Sequence, residues 1–187
     1  MKLALRLLVV ALASFVLFTG VNAEDAIKSG PQVGEKVPGP FHPLNINGDA
    51  AGKTNCLYCS NGENPVAMIF ARHADSKNTA SLIKKIDEAT VKNAKADMGS
   101  FVVFLNDEKG LEESLKKMAE KADLKKLVLS IDNPSGPKGY NVAKDADVTV
   151  VLYVDRKVKA NYSFKKDELK EADIEKIISD ISKIVTK

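Results

Sequence analysis

The residues with the most chemistry to offer are the chain's only two cysteines, which stand in a C-x-x-C pair, Cys56-Leu57-Tyr58-Cys59. Two thiols with two residues between them can close a reducible disulfide when the backbone turns between them. Three uses compete for such a pair. As a structural staple it closes so short a loop that chain entropy yields only ~2 kcal/mol. As a redox pair it exchanges disulfides with partner thiols or senses their oxidation state. As a zinc site it supplies two of four ligands, leaving His42 and His73 to complete the set from outside any usual finger spacing. Covalent haem attachment is not expected, because Ser60 and not histidine follows Cys59.

His73 is a weaker catalytic candidate. With Arg72 and Asp75 it follows an apolar run, at the strand end where open α/β sheets gather ligands, yet a single histidine there is more often simply solvated. His42, between Phe41 and Pro43, reads as a loop residue. No nucleophile triad, no G-x-G-x-x-G and no phosphate loop occurs, so no cofactor and no resident metal are expected. Asn161-Tyr162-Ser163 has the letters of a glycosylation acceptor but falls on an expected strand.

The composition is that of a globular chain: 187 residues, 44% apolar, 28% charged. These values exclude collagen, low-complexity disorder and a disulfide-rich miniprotein. Basic and acidic residues nearly balance, and the lysines alternate with Glu and Asp along expected helices. A nucleic-acid partner is therefore not expected.

Residues 1–23 read as a secretory signal. Lys2 and Arg6 give a basic start, Leu7 to Phe18 is apolar, and Val21-Asn22-Ala23 offers small residues for cleavage. The apolar stretch is shorter than the ~20 residues that span a bilayer, so cleavage is expected rather than a retained anchor. The mature chain then starts at Glu24, in a secreted or periplasmic compartment that permits disulfides, with no membrane attachment.

The elements that must position the cysteines begin with an arm, residues 24–64, punctuated by Gly and Pro. A small hairpin is expected there, from Phe41 to Ile46 and Lys53 to Tyr58, wrapping the main sheet. On that reading Cys59 does not start a helix and lacks the usual stabilisation of a thiolate; Lys53 and the histidines are the basic groups within reach. The core, residues 65–187, alternates strands and helices. Val66 to Ala71, Phe101 to Leu105 and Val148 to Val154 should be adjacent central strands. A helix capped by Asp75 or Ser76 should bury Leu82, Ile83, Ile86 and Ala89 and turn Lys84, Lys85, Asp87 and Glu88 to water. A second helix follows Gly110, and Leu127 to Ile131 is a short strand. After an Asp155-Arg156 turn, Val158, Ala160, Tyr162 and Phe164 should share one face of a strand. A closing helix stripes Ile174, Ile177, Ile178, Ile181 and Ile184 onto the sheet.

This α/β order, with Val33-Gly34-Glu35-Lys36-Val37-Pro38, the strand Pro65 to Phe70, and Gly139-Tyr140-Asn141-Val142 running on to Val148 and Val158, resembles the redoxin branch of the thioredoxin-like superfamily. The resemblance implies a mixed sheet flanked by helices, carrying an N-terminal β-hairpin arm. It also implies a reactive cysteine directly after the first core strand and a cis-proline before the closing hairpin. Here the first position reads Arg72-His73-Ala74-Asp75-Ser76-Lys77 and the second is Val148, for which a trans bond is expected.

Two functions follow. One is an exported thioredoxin-fold protein exchanging disulfides through Cys56 and Cys59 with a protein thiol or disulfide partner; as an enzyme it would be a thiol-disulfide oxidoreductase, and a weak one. The other is a non-catalytic binding or structural module with Cys56 and Cys59 as a structural disulfide. A sulfur exposed near the Arg72 to Ser76 corner favours the first, and a pair at the far edge of the sheet favours the second.

Overall fold

The computed structural model describes residues 27–185, so the signal reading of residues 1–23 and the first residues of the arm lie outside the described chain. Six consecutive apolar residues cannot present a polar face, and a strand of that kind is stable only with both faces covered. Val66–Ala71 (β2) meets this condition, since each residue is at most 1% exposed. It lies inside a six-stranded sheet formed with Leu44–Asn45 (β1), Gly99–Leu105 (β3), Val128–Asp132 (β4), Val148–Val154 (β5) and Lys157–Phe164 (β6). The order is β1-β4-β3-β2-β5-β6. β2 runs parallel to β3 and antiparallel to β5, which makes the three expected central strands neighbours.

One face of the sheet carries the helices Lys77–Lys92 (α2), Leu111–Ala122 (α3) and Glu171–Asp180 (α4). The crossovers β2-α2-β3 and β3-α3-β4 step the same way across the sheet, and connections of one hand then put both helices on one side. Leu82, Ile83, Ile86, Leu115, Ile174 and Ile177 are the fully buried residues of this layer, packed with Ile69, Phe104 and Leu152 of the sheet. Ile178 of the expected stripe is only partly buried.

The opposite face is covered by the arm and by the loop between β4 and β5. Phe41 stacks edge-on against Tyr140 with ring centroids 4.9 Å apart, and Tyr140 in turn meets Phe70 at 5.7 Å. Burial raises the Tyr140 phenol well above its ordinary pKa, so the hydroxyl stays protonated and donates to the Gly39 carbonyl. Along the sheet edge, Gly34 N–H donates to Val158 O and Val158 N–H to Glu35 O. The arm thus wraps the sheet as expected.

Three local expectations change. The arm hairpin shrinks to β1 and a single bridge from Leu44 to Thr54, because the chain turns helical at Leu57 and buries Leu57 and Tyr58 together, which a strand covered on one face alone cannot do. After β1, Asn47 pairs its side-chain amide with the backbone around the start of β4, donating to Leu127 O and accepting from Leu129 N–H. In β6 the register slips: Tyr153 faces Val158 while Leu152 faces Ala160, leaving Lys159 as the extra residue of a bulge. Val158 therefore packs on the arm side, and Ala160, Tyr162 and Phe164 on the helix side.

Asp87 is the third correction. Instead of facing water it is 4% exposed, and its carboxylate accepts the backbone N–H groups of Lys125, Lys126 and Leu127. It ties α2 to the turn that launches β4. Replacing Asp87 by Ala should cost roughly 3 kcal/mol, since three amides lose a charged acceptor. Phe104→Ala should cost a similar ~3–5 kcal/mol by opening a cavity between sheet and helices. Urea unfolding of the two variants checks both figures; an unmoved midpoint would remove that residue from the core.

Candidate functional site

Cys56 and Cys59 are bridged, with Cα atoms 5.2 Å apart. They lie in the first turn of a short helix, Leu57–Asn61 (α1), for which Cys56 is the N-cap. The expectation that Cys59 lies away from the start of a helix is therefore corrected. Cys56 Sγ accepts the backbone N–H of Cys59 at 3.1 Å, which satisfies one of the amide donors that a helix start leaves free. Cys56 is 7% exposed and packs with Leu57, Tyr58 and Phe41 in the arm-side core. Cys59 is exposed to solvent.

Several residues hold this helix against the start of the sheet. Ser60 returns both its N–H and its hydroxyl to the Cys56 carbonyl, and Asn61 Nδ2 donates to Leu57 O. The chain leaves α1 at Gly62, whose φ of +56° and ψ of −124° suit only glycine. Asn61 then lies over Gly99 at the start of β3, where a Cβ would come within 1.7 Å of Asn61 Oδ1. Sequence reading missed this contact, since nothing in the local pattern of Gly99 marks it as a docking point. The Arg156 guanidinium, in the β5-β6 turn, stands 5.1 Å from the centre of the Tyr58 ring.

His73 lies just beyond the last strand residue of β2, whereas α1 ends beside Gly99, the partner of Val66 at the start of β2. Its Nδ1 is 2.5 Å from Oδ1 of Asp147, which is buried while the ring is 41% exposed. Asp147 was not singled out from sequence. It reaches His73 because β5 pairs antiparallel with β2, setting Val148 opposite Ala71. Arg72 is a structural residue here, donating to the carbonyls of Ala146, Pro134 and Ala143 and so fastening the loop before β5. Asp75 is exposed and Ser76 caps α2. His73 borders a cleft of about 510 Å³ with Ser76, Asn78, Asp147 and Lys170 on its walls. His42 is an exposed loop residue beside Pro43, whose carbonyl accepts the N–H of Asn55, the residue before Cys56.

Neither a family model nor a curated protein matches the sequence. Solved structures do. A candidate protein disulfide isomerase from Bacteroides thetaiotaomicron superposes with a TM-score of 0.64 at 16% identity, covering 86% of this chain and 96% of that one. The fold is thioredoxin-like. A candidate thiol:disulfide interchange protein DsbE from Chlorobium tepidum, with TM-score 0.60 and 14% identity, covers 86% of this chain and is itself covered completely. Peroxidoxin BcpB from Mycobacterium tuberculosis gives 0.54 at 18% identity, over 86% and 99%. In a thioredoxin-like frame the corner after the first core strand is occupied here by His73 and Asp147. The peptide bond before Val148 is trans, as expected. The disulfide has its own location, at the start of α1 and ahead of that strand in the chain.

Arg72→Ala should therefore loosen residues 134–147 without touching the bridge. The expected loss is roughly 2–3 kcal/mol, because charge-assisted bonds to three carbonyls disappear. Amide hydrogen exchange should speed up in that loop while α1 keeps its protection; unchanged loop protection would refute the fastening role.

Proposed function

We propose that this is an exported thiol-disulfide exchange protein working through Cys56 and Cys59. The observation that carries the reading is a bridge in the first turn of a helix in which one cysteine is buried and the other exposed. Exchange requires a thiolate to reach a disulfide sulfur and a second thiolate to leave, and both requirements are met at this turn. A purely mechanical role explains less, because α1 is already held by the burial of Leu57 and Tyr58 and by the bonds of Ser60 and Asn61. A loop this short adds only ~2 kcal/mol. Similarity of fold to a candidate thiol:disulfide interchange protein supports the same chemistry. Export is supported by the basic start, the apolar run Leu7 to Phe18 and the small residues before Glu24, together with an oxidised pair. The partner would be a protein carrying a thiol pair or a disulfide.

One observation favours a second reading. Cys56 belongs to the arm-side core, which suits a structural disulfide in a non-catalytic module. Equilibration of the mature protein with dithiothreitol buffers separates the two. Exchange predicts a reduction potential above about −300 mV, and a structural bridge one below it. The variant with both cysteines changed to Ser should stay folded with a loss of ~2 kcal/mol, measured by urea unfolding. A potential below the boundary, or collapse of the double variant, would replace exchange by the structural role.

A further inference from the structure

We propose that the bridge has a fixed direction: an incoming thiolate attacks Cys59, and Cys56 is the leaving and resolving thiol. The inference rests on the thiol-disulfide reading above and assigns each sulfur its role.

Access decides the first half. A nucleophile must approach the attacked sulfur on the side away from its bonded partner, so the sulfur facing solvent is the one reached. Cys59 is exposed, whereas Cys56 is 7% exposed and enclosed with Phe41, Leu57 and Tyr58. Attack on Cys56 would require α1 to come away from the sheet, breaking the packing of Leu57 and Tyr58.

Leaving-group stability decides the second half. The departing sulfur gains a full negative charge, and a donor already aimed at it favours that state. Cys56 Sγ has such a donor in the Cys59 N–H at 3.1 Å. Among the described residues no hydrogen bond reaches Cys59 Sγ. Ser60 anchors the Cys56 carbonyl through its N–H and its hydroxyl, so Cys56 keeps its place at the helix cap after the bond opens. A thiol whose thiolate is stabilised leaves faster, and here access and leaving ability agree.

The reaction balances with a dithiol as co-reactant. One partner thiol loses its proton to solvent and attacks Cys59 Sγ. The Cys56–Cys59 bond breaks as a mixed disulfide forms, and Cys56 departs with the electron pair and takes up a proton. The second partner thiol then attacks the partner's own sulfur in the mixed disulfide, releasing Cys59 as a thiolate that is protonated in turn. Two electrons and two protons pass from the dithiol to this protein, and the partner leaves as a disulfide. In the opposite direction the reduced protein oxidises back through the same mixed disulfide on Cys59, as microscopic reversibility requires.

Glutathione serves as the probe. The wild-type protein is acid-quenched during reduction by glutathione and cleaved after Tyr58, which puts the two cysteines on separate peptides; the adduct should sit on Cys59 at least tenfold more than on Cys56. Separately, reduced Cys56→Ser and Cys59→Ser chains are exposed to oxidised glutathione and followed by mass spectrometry. Cys56→Ser, which keeps Cys59, should acquire glutathione at least tenfold faster than Cys59→Ser. The opposite ranking, or an adduct mainly on Cys56, overturns the direction while leaving exchange intact. A wild-type bridge that glutathione opens only when the protein is unfolded by urea overturns exchange itself and the direction with it.

Discussion

Everything in this molecule is arranged around a strand that cannot meet water on either side. Val66–Ala71 has no polar position, so it must be central and must be covered twice. The helix layer supplies one cover, and it follows almost automatically from two crossovers that step across the sheet in the same direction. The second cover has no long helix to provide it. The arm, α1 and the loop carrying Tyr140 do that work together, and this explains why so polar and Gly-rich a segment still carries Val37, Phe41, Leu57 and Tyr58.

The same requirement places the chemistry. Because α1 is part of the cover, its buried face includes Cys56 and its outer face includes Cys59, so one bridge spans the boundary between core and solvent. The dissimilar surroundings of the two sulfurs are a by-product of packing and need no dedicated binding pocket. Meanwhile the opposite end of the strand is left with a histidine and a carboxylate, bound to each other and framed by a loop that Arg72 fastens. The sulfur pair thus belongs to α1, and the histidine-aspartate pair to the chain just after β2 and just before β5.

Electrostatics has a modest part in holding this arrangement. The surface pairs of Lys116 with Glu112 and Lys117 with Glu113 are exposed i,i+4 pairs of the kind that contribute little. Buried acceptors matter more. Asp87 gathers three backbone amides at the head of β4, and Ser29 meets Thr149 across the arm-sheet boundary with hydroxyl oxygens 2.7 Å apart. These are long-range contacts in sequence, and they join elements that hydrophobic burial alone would hold with less definite register.

Sequence alone determined the strands, the long helices and their order, because burial on one or both faces leaves a period of two, of 3.6, or an unbroken apolar run that can be counted. It also determined that Cys56 and Cys59 could bridge, since they are the only thiols and stand within reach of each other. It left Asp87 on the wrong side of its helix, because a carboxylate at the edge of an apolar stripe has the same pattern whether water or three amides receive it. It left Val158 on the wrong face, because a bulge inserts one residue without any mark in the alternation. The helix at Leu57 was hidden for a related reason: five residues are too few for a period, and their conformation is set by what they bury against. Only tertiary structure decided which cysteine is exposed and that Asp147 meets His73. Those facts depend on strand pairing and on the docking of α1 over Gly99, interactions between residues distant in the chain that no local pattern encodes.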